Sequence, residues 1–530
     1  MSDMSTPSFS ALSVAAIAKE SASRFGDRVA LRVGDSQTTY AELWDQARAY
    51  AGALRESGIG AGDAVAMLIP NVTDFARVYY AILSLGAVVV PIHALLKAEE
   101  IAFVLRDSDS KLLVCAAPLL GEGARGAGQA GVPVVSVLSP SPVDGIARLE
   151  DLAAASAPIV TFVPRAPMDT ATILYTSGTT GKPKGAMGSH FALVEQVNVL
   201  LLSTFNMNST DVVFGGLPLF HTFGQTCTLN TALRAGATVV LLPRFDGESA
   251  LRTLIDSECT IMMGVPTMYM ALLAAAKKTT ERPKLRYAIS GGSALPLAVI
   301  ERFRAEFGVE IYEGYGLTET SPVAAFNHIG DTPRPGSIGT AIWGVDVEIA
   351  NADTEDSIEL LPTGELGELV IRGHNVMSGY LNLPDETNKA IVDGWFRTGD
   401  LGTKDSDGYL WIVDRKKDMI LRNGYNVYPR EVEEVLSAHP SVSNSGVFGV
   451  PHPLHGQEIF ACVVLAAGST VVEDELFEYA KSKLAAYKYP RRVLHVESLP
   501  LGPSGKVLKR ELAARHVGAF SVAEHVPAGQ

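Results

Sequence analysis

The sequence predicts an α/β fold: a large N-terminal domain of stacked α/β layers plus a β-rich subdomain, and a small mobile α+β C-terminal domain. Three observations carry this expectation. From residue 39 to residue 276, segments with helical spacing alternate with short, nearly continuous apolar runs. From about Gly336 the texture changes to short strands between glycine-containing and charged turns. Beyond a charge run at 414–418 comes a compact helix–strand–helix unit. Helices alternating with unbroken apolar strands imply a largely parallel sheet covered on both faces. The repetition runs too long for one sheet, so two or more layers are expected. At 530 residues the chain also exceeds a single core, the length suggesting about three or four domain-sized units.

The elements follow in order. Residues 40–54 carry apolar side chains at helical spacing, Gly58 to Gly62 interrupt them, and 64–70 read as a buried strand. A helix over 74–85 leads to a strand at 87–91. The rhythm returns with 101–110 before the apolar run 111–115, and with 237–243 before a helix at 247–256. A strand at 261–266 then precedes a helix at 267–276. In the β-rich part, strands are expected at 345–349, 367–372 and 408–413. The charge run 414–418 reads as solvated and marks the main domain boundary. After it, Pro429 opens a helix with Val432, Val435 and Leu436 on one face, a strand spans 459–465, and a second helix spans 474–487 with Leu476, Phe477, Ala480 and Leu484 in one stripe. From about Val517 no periodicity remains, and fraying is expected there.

Composition narrows the function classes. Hydrophobic residues at 47% and charged residues at 19% exclude a mostly disordered chain. A balance of 44 basic to 58 acidic residues, a net charge of −14, argues against nucleic acid and anionic membranes as partners. The four cysteines are dispersed with no CxxC pair, which excludes a disulfide scaffold or zinc knuckle. The N-terminus lacks a basic segment followed by a long apolar core, so no signal peptide is read. No apolar run approaches the roughly 20 residues a bilayer span requires. A soluble, acidic, cytoplasmic protein is expected.

The stretch Ile173-Leu-Tyr-Thr-Ser-Gly-Thr-Thr-Gly-Lys-Pro-Lys-Gly185 is the most informative. A strand ends in glycines, hydroxyls and two lysines. Glycines let backbone N–H groups converge on one concavity, hydroxyls add donors, and Lys182 and Lys184 add charge. That composition suits a polyphosphate. It is not a GxxxxGK[ST] loop, since Pro183 stands where Ser or Thr belongs. A solvated turn can have the same composition, and the residues alone leave both readings open.

Together with further motifs, this string resembles the adenylate-forming superfamily, in particular its acyl-CoA synthetase and 4-coumarate–CoA ligase-like branch. The motifs are Tyr175-Thr-Ser-Gly-Thr-Thr-Gly-Lys-Pro-Lys-Gly185, Gly314-Tyr-Gly-Leu-Thr-Glu-Thr320, Gly394-Trp-Phe-Arg-Thr-Gly-Asp400, Val413-Asp-Arg-Lys-Lys417 with Asn423-Gly-Tyr-Asn-Val427, and Pro503-Ser-Gly-Lys506. They stand in the family's order and cover essentially the whole chain. The resemblance implies an ATP-dependent carboxylate–CoA ligase acting through an acyl-adenylate, with ATP, Mg²⁺ and CoA as the molecules it uses.

Roles follow residue by residue from that resemblance. Thr176, Ser177, Gly178, Thr179, Thr180, Gly181, Lys182 and Lys184 would cradle the phosphates. Glu319 would hold Mg²⁺, with Thr318 near the α-phosphate. Asp400 and Arg415 would grip the ribose; a carboxylate is an acceptor-only group suited to two hydroxyls. Lys506 would be the adenylation lysine, since a flexible ammonium can neutralise charge developing between two anions; Lys509 is a neighbouring decoy. The implied architecture is an N-terminal domain over 1–413, a hinge over 414–417 pivoting at Lys417, and a mobile domain over 418–530. Rotation would withdraw Lys506 and bring Gly424 to the cleft for the pantetheine arm; Gly424 is equally explicable as a turn glycine.

The acyl pocket is expected from Phe220, His221, Gly291, Gly292, Tyr315 and Gly316, with Phe223, Met262, Met263, Met268, Tyr269 and Met270 either lining a deformable tunnel or filling the core. Met270 and Ala271 stand where malonate-type ligases carry an arginine, and residues 219–224 contain no aspartate to hold an amino group. A medium- or long-chain fatty acid is therefore expected, with a cinnamate- or benzoate-type aryl acid as the alternative. The acceptor is CoA or, alternatively, a carrier-protein phosphopantetheine. A catalytically inert binding protein on this fold is disfavoured by the intact motifs, and a dehydrogenase by the lack of a strand-linked GxGxxG.

Overall fold

The computed structural model describes residues 12–143, 145–176, 183–502 and 507–516. Two large sheets dominate. In the seven-stranded sheet, strands Ala64–Leu68, Val88–Pro91, Leu112–Ala116, Val134–Val137 and Thr170–Thr176 run parallel, and Lys184–Ser189 adds an antiparallel edge. In the nine-stranded sheet, Val29–Val33, Thr238–Leu241, Val212–Gly215, Ile261–Gly264, Tyr287–Ser290 and Ile311–Gly316 are parallel. The expected stacked α/β layers are thus present. Strands Ala64–Leu68 and Ile261–Gly264 are buried at every position, as parallel strands covered on both faces must be.

Helices Tyr40–Glu56 and Thr73–Ser84 contribute to one continuous core with strands of both sheets. The first has a reciprocal N-cap, in which Thr39 Oγ1 accepts the Glu42 N–H while the Glu42 carboxylate accepts the Thr39 N–H. Buried polar groups pair across the layers: Tyr80 OH donates to Asn230 Oδ1 at 2.7 Å, and Tyr40 OH to the Ala237 carbonyl at 2.6 Å.

A five-stranded sheet, mainly antiparallel, follows at Val345–Ala350, Gly367–Gly373, Ile391–Val392, Trp395–Lys404 and Leu410–Arg415, matching the expected β-rich part. The last sheet (Ile420–Arg422, Tyr425–Val427, Val442–His452, Gly456–Leu465, Arg492–His495) has a core of its own, with Val432, Leu436, Ile459 and Leu476 among its buried members. Among the described residues, no helix is long and apolar enough to cross a membrane. The four cysteines are buried free thiols.

Two expectations are corrected. The second C-terminal helix spans Glu473–Lys483, because Leu484 turns to an extended conformation and Lys488 closes a turn on Ala485 ahead of Pro490. The charge run 414–418 is not uniformly solvated. Asp414 is buried, accepting the backbone N–H of Arg415 at 2.7 Å and of Arg430 at 2.9 Å, and Lys417 is the exposed member.

Candidate active site

A cavity of about 1580 Å³ opens between these elements. Strands Thr170–Thr176 and Lys184–Ser189 pair antiparallel with Thr176 opposite Lys184, and both residues line the cavity with Pro183. Ser177, Gly178, Thr179, Thr180, Gly181 and Lys182 lie outside the described residues. Thr318 and Glu319 occupy a short 3₁₀ turn on the cavity wall, just after strand Ile311–Gly316. Glu319 is 8% exposed; its Oε1 accepts from Tyr380 OH at 2.9 Å and from Thr176 Oγ1 at 3.5 Å. Its Oε2 has no hydrogen-bond partner among the described residues. Lys184 lies 5.1 Å over the Tyr380 ring and forms an ion pair with Glu386.

Asp400 and Arg415 face each other on adjacent strands. Asp400 is buried; Oδ1 lies 3.1 Å from Arg415 Nε, and Oδ2 accepts from Tyr315 OH at 2.5 Å. Desolvation, then the Asp400 charge, pushes the Tyr315 phenol well above its usual range, so it remains a donor. Arg415, Thr398 and Gly399 line the cavity beside Asp400. Each Asp400 oxygen retains acceptor capacity beyond its present partner.

Part of the lining is aromatic. Phe220, His221 and Phe223 line the cavity with Phe205, Phe326, Ile289, Gly291, Gly292, Tyr315 and Gly316. The Phe220 ring meets His93 edge-on at 4.3 Å, and burial pushes the His93 imidazole below its usual pKa. Phe223 N–H donates to His221 Nδ1 at 3.2 Å. Gly316 has a packing reason: a Cβ there would lie 1.7 Å from the Pro322 carbonyl oxygen.

The methionines belong to the core reading. Met262 and Met263 lie on a strand covered on both faces, Met263 Sδ taking the Thr228 hydroxyl at 3.6 Å, and Met268 is buried beside Gly264. Tyr269 donates to the Ile289 carbonyl at 2.5 Å, and Met270 is half-buried; none of the five lines the cavity. Sequence reasoning missed Phe205, Phe326, Tyr380, Glu386 and Lys389. The last two sit i,i+3 on the Pro-initiated helix Pro384–Ala390, a pattern that reads as an ordinary surface pair.

Lys417 lines the cavity with Arg415 and Lys416, and so does Leu508. Lys506 lies outside the described residues. Lys509 pairs with Glu433 at 2.9 Å, as a structural decoy would. Gly424 sits at φ +79° in the hairpin turn between Ile420–Arg422 and Tyr425–Val427 and does not line the cavity. Elsewhere His452, His455 and Glu458 converge closely enough to hold a cation, but Glu458 already neutralises Arg422 and Arg491.

The cavity wall thus combines hydroxyls, a lysine and a carboxylate with phenyl rings, a lining suited to a molecule with a charged and an apolar part. The family model for AMP-binding enzymes matches residues 18–381, and the model for that family's C-terminal domain matches residues 431–506. The chain belongs to the AMP-binding enzyme family. It is 32% identical to a long-chain-fatty-acid–CoA ligase of Bacillus subtilis (strain 168) over 94% of this chain and 93% of the relative. It is 36% identical to a feruloyl-CoA synthase of Amycolatopsis sp over 92% and 95%. Among solved structures, ATP-bound MatB from Rhodopseudomonas palustris matches with a TM-score of 0.86 and 32% identity, covering 96% of this chain and 99% of that one.

Proposed function

We propose that this protein is an ATP-dependent carboxylate–CoA ligase that forms an acyl-adenylate and then a thioester, with a medium- or long-chain fatty acid as substrate. The observation that carries this reading is one cavity lined by Thr176, Lys184, Glu319, Arg415 and apolar side chains, with Asp400 held behind its wall by Arg415 and Tyr315.

Joining a carboxylate to a nucleotide phosphate brings two anions together, so charge neutralisation dominates the barrier. The donor set fits Mg²⁺ carried in with ATP: Glu319 offers Oε2, and oxygen is the ligand this ion prefers. When bound, the ion would neutralise phosphate charge. Thr176, Lys184 and the loop 177–182 would hold the phosphates, and Thr318 would sit near the first of them. Asp400, steadied by Tyr315 and Arg415, would accept from the ribose hydroxyls. His221 and Phe220 would border the acyl group beside Gly291, Gly292 and Gly316. Lys506 would bring its ammonium to the reacting oxygens, and the position of Leu508 on the cavity wall supports that delivery. Lys417 would be the pivot that later exchanges Lys506 for the Gly424 turn.

An aryl acid is a second reading favoured by a specific observation: the pocket is walled by Phe205, Phe220, Phe223 and Phe326 rather than by methionines. The feruloyl-CoA synthase among the relatives supports it. Supplying purified enzyme and MgATP with octanoate, palmitate or cinnamate, against CoA or a holo carrier protein, tests both readings by product mass. Acyl-CoA from the two fatty acids is expected. Cinnamoyl-CoA alone would move the assignment to aryl acids, and product only on the carrier would overturn the CoA assignment.

A further inference from the structure

Lys184 stands at the root of the phosphate loop, yet its ammonium is already paired. Its side chain is 13% exposed, and Nζ contacts Glu386 Oε2. A largely buried ammonium requires a counter-charge, and Glu386 supplies it. Glu386 has a second cation at hand. Lys389, one turn along the same helix, reaches Oε1 at 3.3 Å and is 75% exposed, free to follow the carboxylate outward. All three residues line the cavity, with Tyr380 and Glu319 beside them.

A polyphosphate arriving at Lys184 would meet the Glu386 carboxylate on the same ammonium. Like charges at that separation repel, so one anion must leave. We propose that Glu386 is a placeholder anion: it holds Lys184 ready at the cavity wall, yields it to the incoming phosphates, and passes to Lys389. The two lysines hold the Glu386 carboxyl below its usual pKa, so it remains an anion throughout. The position is a tuning device for nucleotide affinity, and it rests on the proposed ATP site.

The handover is tested by calorimetric titration of MgATP, without acid substrate, into the full-length protein and its E386Q, K389A and double variants at low and high salt. E386Q should bind about three- to fivefold tighter at low salt, the scale of a partly exposed ion pair, and the gain should shrink as salt screens it. K389A should bind more weakly, because Glu386 loses its alternative partner. In the E386Q background that K389A loss should disappear. Weaker binding by E386Q, or a K389A loss of equal size in both backgrounds, overturns the proposal; the second result would put Lys389 directly on the phosphates. Wild-type protein that binds MgATP while E386Q matches it sinks the handover alone. Wild-type protein that binds no MgATP sinks the proposed ATP site and the handover with it.

Discussion

Glu313 is a buried carboxylate on the strand that leads into Thr318 and Glu319, and its ionisation should be measurable as stability. It is 6% exposed, accepts the Gly336 N–H at 2.9 Å, and is faced by Arg430 and Glu434 from helix Pro429–Ser437. Burial pushes its pKa up to about 7. A folded-state pKa above the unfolded one means the folded chain holds its proton more tightly. The associated stability is fully present below the unfolded value near 4.5 and is lost as pH rises to about 7. Between pH 5 and pH 8 the loss should be about 2.5 kcal/mol. Glu313→Gln removes the titration while keeping the shape and an acceptor for Gly336. Urea unfolding of both proteins across that range should give a stability difference that moves toward the variant by about 2.5 kcal/mol, whatever its constant offset. A flat difference curve would refute the burial argument, because it would mean that Glu313 is ionised across the whole range.

The other expectations concern the cavity directly. Glu319→Gln should slow acid-dependent ATP–pyrophosphate exchange by about 10²–10³-fold, the scale of one lost electrostatic group, and full activity with Mg²⁺ would remove Glu319 from the metal role. Lys506→Ala should lose exchange by about a hundredfold or more while still transferring acyl groups from supplied acyl-adenylate to CoA; loss of both half-reactions would contradict its assignment. Gly316→Ala places a methyl 1.7 Å from the Pro322 carbonyl oxygen, so its melting temperature should fall as for a loss of about 3 kcal/mol or more; an unchanged melt would show that the turn can shift.

The sequence made the framework legible because its signals are local. Period and punctuation placed the helix Gly247–Asp256 to the residue, and the strands Ala64–Leu68 and Ile261–Gly264 within two. Motif residues that share a wall, such as Thr318 and Glu319, were also found. What escaped depended on distant partners. Met262 and Phe326 are both apolar strand residues, and only the stacking of helices and neighbouring strands decides that one fills the core and the other lines the cavity. Asp414 read as solvated because its burial comes from helix Pro429–Ser437 folding back on it. Glu386 escaped notice because Lys184, its partner, lies far away in the chain.

Arg430 spans the proposed pivot at Lys417 and faces Glu313. Its Nη1 donates to the Ile412 carbonyl at 2.6 Å, its backbone N–H to Asp414 Oδ2 at 2.9 Å, and its charge faces Glu313. These contacts cross Lys417, whereas Arg430–Glu434 and Lys509–Glu433 stay within the terminal unit. A rotation about Lys417 would therefore strip Ile412, Asp414 and Glu313 of one cation in a single movement. A hydrogen bond from a charged donor contributes about 1.5–3 kcal/mol, enough to hold this pose without locking it. The two carboxylates pull in opposite directions: burial under that helix raises the Asp414 pKa, so its exposure favours departure in alkali, whereas Glu313 would lose the Arg430 cation and favour departure in acid. Arg430→Ala separates the cases. With the unit docked as here, the variant loses the cation that favours the Glu313 anion, and the midpoint of the stability difference against Glu313→Gln should move above about 7. A midpoint that stays where the wild type has it would mean that Arg430 spends little time against Glu313 in solution, and the crossing contacts would then not govern the pose.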